Sequence, residues 1–222
     1  MRKTHATLAL LTTLAAFTST AHAASTPHAA TSVLQNGGVL TTTTTADSVT
    51  YTFSGLTLAG FEFATVGGGA DSPFYGTLTS VSVNATLDAS VAYTYGDDLT
   101  IYVAHPPLGP DGLLQVGGFS DTGALERHSW GNGGSSAPGT TVIDTIALDT
   151  PLTFAGGAGD PTIWLGNGYG ASDAEGTWSG SITLTGISTT APVPEPSSMA
   201  LMALGGLGLV GWARRRRSSA NS

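Results

Sequence analysis

Between residues 31 and 190 the chain falls into short threonine-rich segments in which apolar and polar residues alternate, divided by clusters of glycine. Thr77-Leu-Thr-Ser-Val-Ser-Val-Asn-Ala-Thr86 keeps this alternation over almost its whole length. Side chains on a strand point to opposite faces in turn, so a period of two describes a strand with one buried face. The same reading applies to residues 49–53, 99–103, 140–148, 162–165 and 177–186. Turn chemistry separates them: Val66-Gly-Gly-Gly69, Tyr95-Gly-Asp-Asp98, the proline-rich 106–112 and Gly131-Asn-Gly-Gly134. No segment before residue 197 holds a 3.6-residue apolar period long enough for a substantial helix. Strands with one apolar face must bury it against a second sheet, so the expected fold is all-β, an antiparallel β-sandwich of jelly-roll type.

Charge narrows what such a domain can bind. All but one of the 15 acidic residues lie between Asp47 and Glu175, and Arg127 is the only Lys or Arg in that stretch. Nucleic acid requires a basic face to replace phosphate counterions, so nucleic-acid partners are excluded. Cysteine is absent, which removes disulfides, thiol catalysis and cysteine-zinc sites together. A domain of about 160 residues is large enough to be stabilised by one apolar core.

The two ends read as addresses. Residues 1–23 have a basic start at Arg2 and Lys3, an apolar run from Ala6 to Phe17, and small residues at Ala21 and Ala23. This is the pattern of a signal peptide, handled by the Sec translocon and cut by signal peptidase after Ala23. Residues 24–48 follow as a leader and first strand region, with His28 in the leader, and 49–190 as the sandwich domain. At the other end, alternating prolines from Pro192 to Pro196 keep the chain extended. The apolar run Met199–Ala213 comes next, then Arg214, Arg215, Arg216 and Arg217. The run is shorter than the roughly 20 residues that span a bilayer comfortably. With Ser197 and Ser198 included and the arginines snorkelling, it is expected to form a single transmembrane helix over 197–213. The arginines resist translocation and should stay cytoplasmic, leaving the domain outside.

Val193, Pro194, Glu195 and Pro196, the short Gly-rich helix with Trp212, and the four arginines together resemble the PEP-CTERM sorting signal, over residues 191–217, with 218–222 as a tail. The resemblance implies that Pro194, Glu195 and Pro196 are the recognition motif for a membrane-embedded exosortase. It also implies that the helix is a temporary anchor and the arginines a stop signal. The expected location is the inner membrane in transit, then the cell surface or an exopolysaccharide matrix.

A second resemblance lies within the domain, over about residues 80–186. Ala92-Tyr-Thr-Tyr-Gly-Asp-Asp-Leu-Thr-Ile-Tyr-Val-Ala-His-Pro106 is similar to a segment of the P domain of subtilisin-type proprotein convertases, with Tyr93 where that family has His. Residues 162–186, with Trp164 and Trp178 on either side of a Gly-rich turn, resemble the strands that close the same domain. This implies a P-domain-like jelly roll and, as an alternative function, an accessory module working with a separate subtilisin-like protease. The chain itself has no room for that protease.

Catalysis needs a nucleophile beside an oriented base. Outside the signal peptide the histidines are His28, His105 and His128, there is no Gly-x-Ser-x-Gly elbow, and no enzyme is expected. His105 should end a strand and His128 should lie in a loop or at a sheet edge. Hard oxygen donors in glycine-rich turns suit calcium, which makes Asp97, Asp98, Asp173 and Glu175 the expected ligands. Solvated turn carboxylates that keep an acidic protein soluble are the competing reading. Gly156-Gly-Ala-Gly-Asp160 resembles one unit of a calcium-binding glycine repeat but has no tandem copy. Trp164 and Trp178 should pack in the core, and Trp130, beside a glycine-rich turn, should be more open. The expected whole is an exported, non-enzymatic β-sandwich protein, with calcium in those turns as the one cofactor the sequence suggests and solvated carboxylates as the alternative.

Overall fold

The computed structural model describes residues 28–33, 38–69, 71–109 and 111–192. The signal peptide with Ala21 and Ala23, the sorting motif Val193–Pro196, the helix expected over 197–213 and Arg214–Arg217 lie outside the described residues. Among the described residues no helix is long and apolar enough to cross a membrane.

The six predicted strands all form, and most run longer than the alternation alone marked. They are β3 (Ser48–Ala59), β5 (Tyr75–Val91), β6 (Leu99–Ala104), β9 (Thr140–Ala155), β10 (Thr162–Asn167) and β11 (Glu175–Ser188). Five more complete the set: β1 (His28–Val33), β2 (Val39–Thr44), β4 (Phe63–Gly68), β7 (Leu114–Val116) and β8 (Glu126–His128). His28, expected in a leader, opens β1 and pairs with Thr44 of β2. Val66-Gly-Gly, read as turn chemistry, is the second half of β4.

The strands form two sheets, one in the order β1-β2-β3-β11-β5-β9 and the other β4-β10-β6-β7-β8. Every pairing is antiparallel except β7 with β8, which is parallel. That departs from the wholly antiparallel sandwich expected, and two glycines account for it. Gly117 and Gly118, at φ +82° and +81°, turn the chain out of β7, a backbone region that L-residues rarely enter. The chain then comes back to the beginning of β7, where the amides of Leu125 and Glu126 donate to the carbonyls of Gly112 and Leu113. β8 therefore starts level with β7 and runs in the same direction.

One core lies between the sheets. Val49, Tyr51, Val83, Trp178 and Ile182 from the larger sheet meet Leu99, Ile101, Ile163 and Leu165 from the smaller. Trp178 is fully buried, and its indole N–H donates to the Gly96 carbonyl at 3.2 Å. Trp130 is also buried, 4 % exposed, with its N–H on the Leu99 carbonyl at 2.7 Å. The glycine-rich turn beside it had pointed to a more open position. Trp164 is buried as well, but in a separate cluster with Tyr102 and Ala104. On the opposite face of the larger sheet, hydroxyls pair across strands: Thr50 with Thr183, Thr57 with Thr177, and Thr145 donating to Ser82, each at 2.9 Å. The threonine content is thus the solvent side of a sheet, where β-branched residues and cross-strand hydroxyl pairs are both favourable.

Tyr51 is fully buried, and its hydroxyl has no hydrogen-bond partner among the described residues. Burial alone pushes its ionisation far above the usual tyrosine range. A buried unsatisfied hydroxyl costs about 1–3 kcal/mol. Replacing Tyr51→Phe keeps the ring and removes that cost, so denaturant unfolding should show a stability gain of about 1 kcal/mol.

Candidate functional site

Asp97 and Asp98 close a single 3₁₀ turn, Gly96–Asp98, that enters β6. The turn fastens several loops at once. Its Gly96 and Asp97 amides donate to the carbonyls of Ser135 and Gly133, while its Asp97 and Asp98 carbonyls accept from Gly118 and Gly168. Asp98, 3 % exposed, directs both carboxylate oxygens at backbone amides: Oδ2 accepts from Tyr95 at 2.7 Å and Oδ1 from Phe119 at 3.1 Å. Burial pushes the Asp98 carboxyl up from 3.8 to about 6, with the neighbouring Asp97 charge adding to the rise and the two amides opposing it. Asp97 is raised too, again by burial.

The other expected calcium ligands lie elsewhere. Asp173 is an exposed turn residue at φ +63°, and Glu175 is the exposed first residue of β11. No three of Asp97, Asp98, Asp173 and Glu175 bring ligand atoms within 4.8 Å of one another. Among the described residues that spacing is met by Glu126, His128 and Asp149. Their geometry is a stitch between the two sheets. Glu126 Oε1 meets His128 Nε2 at 2.7 Å, and its two oxygens accept the amides of Asp149 and Thr150 in β9 at 2.8 and 2.9 Å. Burial raises the Glu126 carboxyl, but these partners outweigh it and the net shift is downward. Asp160, in the loop that resembles a glycine repeat, accepts the amides of Ala155, Gly156 and Gly157 on one oxygen. His105 is exposed just beyond the end of β6, as its place before two prolines implied.

A groove lies on the outer face of the smaller sheet. Trp164 of β10 is opposite Tyr102 of β6, with ring centroids 6.4 Å apart, and Tyr102 is 5.9 Å from Phe63 of β4. Gly166 allows this, because a Cβ there would overlap the Phe63 ring. The 105–109 loop rises along one side, carrying Leu108, and the Tyr102 hydroxyl holds it by donating to the Gly109 carbonyl at 2.7 Å. The loop after β7 supplies Asp121 and Thr122. Phe61 closes one end, 50 % exposed and held at φ +57°. Beyond Leu108 the groove continues past Asp71, Ser72, Thr65 and the edge of Trp164. The two parts enclose about 330 and 340 Å³, within the range of small-molecule sites. Sequence reasoning missed this groove because its residues come from four separated segments. The available signal was Phe61-Glu-Phe63, a pair of aromatics two residues apart beside a turn.

The PEP-CTERM protein-sorting motif matches residues 192–217, where the sequence resemblance had placed it. The chain therefore carries that motif, which marks an exported protein sorted through the membrane-associated exosortase system. No curated protein and no solved structure matches the chain, and the P-domain resemblance of residues 80–186 has no support beyond its own motifs.

Two outcomes follow from the carboxylates. Asp98 binds its proton more tightly folded than unfolded, so acidification stabilises the fold, from about pH 6 down to the ordinary carboxylate value of 3.8. Glu126 is lowered from 4.5 and has the opposite effect only below that value. The melting midpoint should therefore rise between pH 7 and pH 5, and Asp98→Asn should reduce that rise. Calcium against chelator should leave the midpoint of the wild-type chain unmoved, because Asp98 already has amide partners and no three of the four carboxylates converge.

Proposed function

We propose that this is a non-enzymatic β-sandwich binding module, released by an exosortase to the cell surface or the surrounding exopolysaccharide matrix. The observation that carries the reading is the sorting motif at residues 192–217, directly beyond β11. That strand lies between β3 and β5 in the larger sheet, so the tail leaves from the middle of the fold and its removal cuts no strand. In transit the signal peptide inserts the chain, Met199–Ala213 anchors it, and Arg214–Arg217 hold the end in the cytoplasm. Pro194, Glu195 and Pro196 are then read outside the membrane.

The non-enzymatic part of the reading rests on the polar side chains. His128 is bonded to Glu126, whose oxygens also hold the β9 backbone. Asp98 is committed to two amides. The groove residues offer rings, hydroxyls and carboxylates, a set suited to holding a ligand.

Intact mass and fractionation of the protein from its own cells test this, with Glu195→Ala alongside. The expected mature form begins near Ala24 and lacks the arginines, while the variant keeps its tail and stays in the membrane. A wild-type chain that retains its arginines in the inner membrane, with the variant indistinguishable from it, would overturn the sorting step.

A further inference from the structure

We propose that the groove on the outer face of the smaller sheet binds a neutral saccharide chain, with Phe61 and Leu108 as apolar contacts and Asp121 and Asp71 accepting from sugar hydroxyls. The inference rests on the reading of the domain as a binding module and is independent of how the tail is processed.

A sugar ring has an apolar C–H face and a rim of hydroxyls. A matching site needs exposed apolar or aromatic surface flanked by hydrogen-bond acceptors. The groove has this composition along its length. The half-buried Phe63 ring lies in its floor, backed by the buried rings of Tyr102 and Trp164, and Phe61 and the 42 % exposed Leu108 line it as well. Asp121 and Asp71 are both exposed at its rim. Asp121 accepts a single hydrogen bond among the described residues, from the Gly123 amide, which leaves acceptor capacity for a ligand hydroxyl. Leu108 lines both parts of the groove, so a ligand reaching both would contact it.

Phe61 is presented at an energetic cost. A bulky residue at positive φ is a backbone outlier, and such strain persists only where surrounding structure over-determines it. Here Asn167 does so. The Phe61 amide donates to the Asn167 carbonyl, and the Asn167 amide to the Glu62 carbonyl, both at 3.0 Å. The fully buried Asn167 side chain ties Leu58 to Tyr169. The Phe61 ring lies over Gly170, where a Cβ would overlap it. The turn thus keeps an aromatic half exposed at the end of the groove.

Charge and backbone select among ligands. The walls contain carboxylates and no cation. Arg127, the only Lys or Arg among the described residues, donates to the carbonyls of Gly118 and Phe119. An acidic polysaccharide or a phosphate would meet repulsion without compensation. A peptide added as a strand needs a free row of backbone groups. Of the strands beneath the groove, β10 and β6 are paired on both sides, and the unpaired row is that of the edge strand β4.

The test is calorimetric titration of the full chain in detergent with neutral hexasaccharides of glucose, mannose, galactose and xylose. A hexagalacturonate and a lysine-rich hexapeptide serve as charged comparisons. The expected result is binding of at least one neutral hexasaccharide, weakened at least tenfold by Phe61→Ala and by Asp121→Ala. Melting should confirm that both variants fold, and Ile143→Ala, on the other sheet, should bind like wild type. The proposal is overturned if none of the neutral hexasaccharides binds, if folded Phe61→Ala and Asp121→Ala bind unchanged, or if either charged probe binds as tightly. A chain that is processed normally but binds no hexasaccharide removes the groove assignment and leaves sorting intact. One that binds but keeps its arginines does the reverse.

Discussion

The buried carboxylate of Asp98 pins the amides of Tyr95 and Phe119, and with them the turn on which several loops of this molecule depend. It sits in a turn whose carbonyls and amides reach the loops at Gly118, Gly133, Ser135 and Gly168, and whose Gly96 carbonyl receives the indole of Trp178 from the opposite sheet. Loops of an acidic, cysteine-free domain have neither disulfides nor a network of ion pairs to fix them. Backbone amides pointed at a buried acceptor take that place. Such an acceptor must remain dehydrated, which raises its proton affinity, and its two amide bonds limit the rise without abolishing it. The loop that carries Asp121 is anchored to this turn through the amides of Gly118 and Phe119.

The same residues show what was legible beforehand and what was not. Alternation identified six strands, and in β3, β5, β9 and β11 it reports a wet face, because a period of two survives in sequence wherever one face meets solvent. It failed for β1, β2, β4, β7 and β8. β7 and β8 are too short to show a period, and β4 is half glycine and valine. β6 and β10 were found, yet the meaning of their composition was missed. Every residue of both is buried, so Tyr102 and Trp164 face a covering layer on the outside of the sheet. A continuous apolar run reports burial on two faces but does not say what provides the second cover, here the long excursions on either side of β7.

Carboxylates were the hardest residues to read. Asp in a glycine-rich turn is equally suited to a hard cation and to a fan of backbone amides, since both present positive charge to the same oxygens. Asp98 and Asp160 take amides, three of them on one oxygen in the case of Asp160. Glu126 does the same between sheets. The spacing of acidic residues along the chain contained no information to separate these outcomes, because the partner amides come from segments remote in sequence or from the turn's own fold. By contrast the C-terminal sorting motif at residues 192–217 was legible, since it depends on order along the chain rather than on folding.

The position of β11 has a mechanical consequence. It is paired on one side with β3 from Glu175 to Thr185 and on the other with β5 from Glu175 to Ser188. With the tail embedded as proposed, any drag on the domain would be transmitted along this strand. A pull in that direction loads two ladders of hydrogen bonds in shear, so that many must yield together, whereas a tail leaving from the edge strand β9 would peel its bonds away one at a time. A chain tethered in the proposed way would be held through a strand well placed to withstand tension, and the fold could stay intact under load until the anchor was cut.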